Sequence, residues 1–95
     1  MNVVWSPQTL ADLKHLHAYI AREDPHIAQV LVMHIVTHIG TYLPSMPNAG
    51  RIGRVPNTRE LVIANTPYII PYHVKGMTIE ILRVYHTARR WPENL

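Results

Sequence analysis

The chain has 95 residues, 47% of them apolar and 16% charged, with 9 Lys plus Arg against 6 Asp plus Glu and a net charge of +3 with His neutral. That length holds one domain, and the composition is too apolar and too weakly charged for a disordered chain. The absence of cysteine rules out a disulfide scaffold and thiolate metal sites, and fits a reducing compartment.

No secretory signal opens the sequence, and no stretch approaches the roughly 18 to 20 apolar residues that span a bilayer. The expectation is a soluble, cytoplasmic protein without a membrane partner. A domain this short buries a modest share of its surface, so a stabilising partner is expected. The charge is uneven: Lys14 and Arg22 are outnumbered by Asp12, Glu23 and Asp24 in residues 1–47, and the basic character lies in the C-terminal half.

Residues 1–5 read as a short apolar strand. Ser6 then caps and Pro7 opens a helix over 7–22, because a serine oxygen accepts from the first turn and proline has no N–H to leave unsatisfied. Leu10, Leu13, Leu16 and Ile20 fall on one stripe of it, with Asp12, Lys14 and His15 elsewhere. Asp24-Pro25 repeats this pattern for a second helix reaching about residue 43, with Ala28, Leu31, Ile35, Ile39 and Tyr42 at core spacing and Pro44 and Pro47 ending it. Val30, Val32, Met33 and Val36 carry apolar surface further around this helix than packing on one sheet requires, which asks for a cover.

Residues 44–58 are a turn-rich connector from which a strand starts after Arg51. Strands follow over 59–64, 68–74 and 78–85, separated by turns at Asn65-Thr66-Pro67 and Lys75-Gly76. Such short links make antiparallel neighbours. Pro71 conflicts with a strand interior, since it cannot donate to a ladder. The order β-α-α-β-β-β gives one α+β domain over 1–95, a helical hairpin on one face of a small, mostly antiparallel sheet. Strict alternation on the last strand sets Ile79, Ile81, Arg83 and Tyr85 against Glu80, Leu82, Val84 and His86, so Arg83 and His86 point apart.

Arg51, Arg54, Arg59, Lys75, Arg83, Arg89 and Arg90, interleaved with Tyr68, Tyr72, Tyr85 and Trp91, suit either nucleic acid or an acidic protein; the small net charge favours the protein. His34 and His38 stand four apart as helical zinc ligands do, but no glutamate follows in the HExxH manner and no acid lies nearby, so no metal is expected. Gly50-Arg51-Ile52-Gly53 is short and lacks a following helix, so it is a turn rather than a phosphate loop, and no cofactor is expected. His86, at the end of the strongest strand, is either a candidate base or acid, with Arg59 and Arg83 as phosphate ligands for metal-independent RNA cleavage, or a strand-end histidine bonded to backbone.

The residues Gly50 to Val55, Thr58-Arg59-Glu60-Leu61-Val62, Pro67-Tyr68, Tyr72, Ile79 to His86, and Arg89, Arg90, Trp91 and Pro92 together resemble the RelE/ParE superfamily of toxins from bacterial type II toxin-antitoxin modules. Trp5-Ser6, Ala11-Asp12-Leu13 and Tyr19-Ile20-Ala21 fit the same resemblance, which covers about residues 3–92. It implies a toxin held in a hetero-oligomer by a cognate antitoxin whose C-terminal segment folds on binding, with Val32, Met33, Val36, Arg54 and Arg59 as contacts.

Within the superfamily, nuclease branches carry an arginine after the tyrosine that opens the fourth strand, where this chain has Ile69. RelE-type members have lysines in the preceding strand, where it has Glu60 and Val62. The resemblance therefore favours the ParE-like branch, which inhibits DNA gyrase, with Arg83, Arg89, Arg90 and Trp91 as target contacts. The alternative is a RelE-like endoribonuclease acting on mRNA at the ribosome through His86, Arg83 and Arg59.

Overall fold

The computed structural model describes residues 1–88. Strand β1 (Asn2–Trp5) leads into α1 (Pro7–Ala21) and α2 (Pro25–Thr37). Both helices begin as their sequences dictate: the Ser6 side chain accepts from the N–H of Thr9, and that of Asp24 from the N–H of Ile27, each followed by proline at the first helical position. A π-helical turn, His38–Tyr42, and a last turn, α3 (Leu43–Ser45), extend the second helix.

Strands β2 (Arg51–Ile52), β3 (Arg59–Val62), β4 (Tyr68–Lys75), β5 (Thr78–Ile81) and β6 (Tyr85–His86) complete the sheet. Its order is β1-β5-β4-β3-β2, with β6 also on β4. Among the described residues only the β1–β5 pair is parallel. Asn65 and Gly76 take positive φ in the turns between β3, β4 and β5, as such turns require.

The core lies between the hairpin and one sheet face. Leu13 and Leu16 of α1 and Ile35, Ile39 and Leu43 of the second helix meet Leu61, Ile63, Ile70, Tyr72, Ile79, Ile81 and Val84. Two stripe assignments fail. Leu10 is half exposed, and Thr9 and Asp12 are buried in its place because both bond to the sheet. Tyr42 is exposed and Leu43 takes the core position. The run Pro25–Ser45, 21 residues with mean hydropathy 1.3, also reaches the length and composition of a bilayer span, against expectation. Here Ala28, Ile35, Ile39 and Leu43 of that run are fully buried in the domain.

Pro71 sits inside the central strand β4, and its placement is what breaks the last strand in two. Tyr72 pairs with Ile81 and Ile69 with Tyr85, so the three residues Leu82, Arg83 and Val84 oppose the two residues Ile70 and Pro71. That is a one-residue bulge. The Leu82 N–H donates to the Pro71 carbonyl at 3.0 Å, which places the missing proline donor on this same side. The reciprocal bond is impossible, and the Leu82 carbonyl instead accepts from the Ser6 hydroxyl at 2.9 Å. Thr9 Oγ1 donates to the Ile81 carbonyl at 3.1 Å, so the start of α1 closes the broken ladder.

Candidate functional site

The bulge resets the side-chain alternation, and with it the expected separation of Arg83 from His86. Val84 joins Ile79 and Ile81 in the core, and His86 faces α1 across a cavity of about 590 Å³ that Asp12, His15, Tyr19 and Tyr68 also line. Arg83 turns to α1 as well. Its Nε and Nη2 donate to the two oxygens of Asp12 at 2.8 and 2.9 Å, and the Val84 N–H donates to Oδ2 at 2.9 Å. The expectation that the two residues point apart is thus corrected: the extra residue between Ile81 and Tyr85 turns both toward α1.

Helical spacing sets Asp12 off the apolar stripe, yet it is buried. It is the residue that ties α1 to the exit of the sheet, and its carboxylate raises the Arg83 guanidinium above its ordinary pKa chiefly by accepting that hydrogen bond. Arg83 also lies 4.8 Å from the Tyr85 ring centroid. Only the Ala11-Asp12-Leu13 motif hinted at Asp12, and strand-period reasoning could not have found its partner without the bulge.

His86 packs edge-on against Tyr68, ring centroids 5.4 Å apart. Its Nδ1 accepts from the Ala88 N–H at 3.0 Å, so a neutral ring in this geometry carries its proton on Nε2 and offers a donor there, not a lone pair. Arg59 lies elsewhere. It pairs with Tyr72 on one side of β4, whereas His86 pairs with Tyr68 on the other, four residues along, or about 13 Å at strand rise. Its Nη1 donates to the Gly50 carbonyl at 2.8 Å. Of the residues expected to act together in RNA cleavage, Arg83 and His86 are thus turned to the same side, toward α1, and Arg59 stands apart from both.

A second cluster stands on the open sheet face. Glu60 is 2% exposed and collects Arg51 Nε and Nη2 at 3.1 Å, Arg54 Nε at 3.1 Å and the Arg54 N–H at 2.8 Å. Burial alone raises its pKa, but the bonds from Arg54 and Arg51 outweigh it and hold the carboxyl below its ordinary value. Tyr72 anchors the same loop from the core side, accepting from Gly50 N–H at 2.9 Å and donating to the Pro47 carbonyl at 2.8 Å. A Cβ at Gly50 would stand 2.7 Å from the Tyr72 ring and hydroxyl, so this approach needs glycine.

Of the apolar contacts expected for a partner, Met33 and Val36 are exposed, joined by Ile27 and Val30; Val32 is the exception, packing against the domain's own core. His34 and His38 have ring centroids 5.8 Å apart, and among the described residues no three His, Asp or Glu side chains converge as a metal site. Arg89, Arg90 and Trp91 lie outside the described residues.

A helical hairpin on one face of a mostly antiparallel sheet, with exposed apolar surface on its second helix and paired arginines on the open sheet face, defines a small α+β domain equipped to bind other macromolecules. Comparison with known proteins sharpens this. Residues 3–91 match the ParE toxin of the type II toxin-antitoxin system, parDE. The chain is 42% identical over 94 residues to the candidate toxin Y4kP of Sinorhizobium fredii, covering 99% of this chain and 96% of that protein. It is 36% identical over 88 residues to Toxin RelE2 of Caulobacter vibrioides, covering 93% and 97%. A solved chain of the chromosomal ParDE toxin-antitoxin system from P. aeruginosa superposes with a TM-score of 0.82 at 32% identity, over 90% of this chain and 95% of that one. The chain belongs to the ParE toxin family of type II toxin-antitoxin systems.

Proposed function

We propose that this toxin arrests growth by binding DNA gyrase through the segment that follows β6, and that its cognate antitoxin neutralises it by covering the exposed row of α2. The observation that supports gyrase over mRNA cleavage is that each member of the nuclease set is engaged by its own neighbours and Arg59 stands apart from Arg83 and His86. Arg83 is committed to Asp12, Arg59 to the Gly50 carbonyl, and the Nδ1 of His86 to Ala88. A general base needs a free lone pair within reach of the proton it takes, and an acid-base pair needs its cations beside it.

The target contacts of this reading are Arg83, through its exposed edge, and Arg89, Arg90 and Trp91. The antitoxin contacts of this reading are Met33, Val36, Arg54 and Arg59, with Ile27 and Val30 added by their exposure. Burial of that row on binding contributes about 25 cal/mol per Å² of apolar area. The test adds purified toxin to gyrase, ATP and relaxed plasmid. Inhibited supercoiling with protein-linked breaks supports the reading, and unimpeded supercoiling by folded toxin removes it.

A further inference from the structure

Where the π-helical turn passes β2 and β3, a cavity of about 280 Å³ opens between His38, Tyr42, Arg51, Glu60 and Val62. We propose that this cavity receives a carboxylate side chain of the antitoxin, and that Arg51 is the residue that selects it. The inference rests on the reading that the antitoxin covers α2, and adds the chemistry by which one end of that contact is fixed.

Three observations carry it. First, Arg51 spends Nε and Nη2 on a single oxygen of Glu60 and makes no other hydrogen bond among the described residues, so the edge formed by Nη1 and the outer N–H of Nη2 is unspent. The Arg51 side chain is 56% exposed. That edge matches a carboxylate as a two-pronged fork, and Glu60 holds the plane in advance. Second, the cluster is net cationic, because one buried carboxylate is shared by Arg51 and Arg54. Third, the cavity continues the exposed surface of the second helix: His34 and His38 rings follow the row Val30 and Met33, His38 packs on Tyr42 at 4.8 Å, and Val62 stands half exposed at the rim.

An apolar approach ending in one cationic fork fits an amphipathic acidic peptide. A nucleic acid would need a track of cations, whereas this row on α2 is apolar.

The experiment titrates the full-length toxin with its cognate antitoxin at low and high salt, comparing wild type with Arg51→Gln, Val62→Glu and Met33→Asp, each first checked for fold by its thermal transition. Arg51→Gln is expected to weaken the complex about tenfold or more and to flatten its salt dependence. Val62→Glu leaves Glu60 and both arginines in place, puts an acid at the cavity mouth, and is expected to weaken binding similarly. Wild-type affinity and salt dependence in both variants would overturn the proposal. So would their loss of binding to a DNA oligonucleotide with the antitoxin complex unchanged. Unchanged affinity in Met33→Asp alone would remove α2 from the interface while leaving the Arg51 result standing on its own.

Discussion

The side chains that matter most in this fold are buried acids given opposite work. Asp12 accepts three hydrogen bonds, two from Arg83 and one from the Val84 N–H, and so fixes where the chain leaves the sheet. Asp12→Ala is expected to lower stability by about 2 to 3 kcal/mol, since it strands a buried N–H and a guanidinium. Urea unfolding checks this, and a loss well below 1 kcal/mol would mean that water replaces the carboxylate without cost.

Glu60 instead makes stability depend on pH. Its folded pKa lies below the ordinary value of 4.5, so the stability it contributes is present above about pH 4.5 and is lost as pH falls through the folded value. Glu60→Gln is expected to flatten the fall in thermal midpoint on the acid side, read from melting curves between pH 3 and 7. An unchanged acid limb would assign that fall to other carboxylates.

At the scale of elements, the helix starts and tight turns were legible because Ser6-Pro7, Asp24-Pro25 and Lys75-Gly76 act through local geometry alone. The break in the last strand was not, although its cause was visible. Pro71 conflicts with a strand interior, but a missing donor declares only that something must yield, not which neighbour does. The answer is long-range: Leu82 to Val84 bulge, and Ser6, 76 residues away, supplies the hydroxyl to the Leu82 carbonyl. Alternation fails beyond such a point, which is why the assignments of Val84 and His86 to faces reversed.

Ser6→Ala removes both this bond and the cap of α1, and should cost about 1 to 2 kcal/mol by chemical denaturation. Valine at the same position as a control should cost no less, because neither side chain can donate. Tyr72→Phe tests the other anchor. It leaves Gly50 N–H without its acceptor, and about 1 to 3 kcal/mol of stability should go with it.

For the whole molecule, the candidate site was legible in part. Exposed apolar surface on the second helix followed from counting residues around its circumference, and Met33 and Val36 are exposed as that count implies. Val32 packs against the domain's own core, because a helix packed on both a sheet and a sister helix buries a wider arc than one stripe. The pairing of Arg51 and Arg54 with Glu60 was hidden, since a list of cations does not show which acid lies across a hairpin. What these pieces make together is a domain whose sheet exit is clamped to α1 by Asp12 and Arg83, with an apolar row of α2 left exposed.

The central claim is that this toxin acts by binding and not by cutting RNA. It is tested most directly by inducing wild type and His86→Ala without antitoxin and following growth, protein-linked DNA breaks and mRNA ends in the same cultures. Equal growth arrest by both, with DNA breaks and intact mRNA, is the predicted result. Arrest that His86→Ala abolishes while the variant stays folded, accompanied in wild type by cleaved mRNA and unbroken DNA, would contradict it.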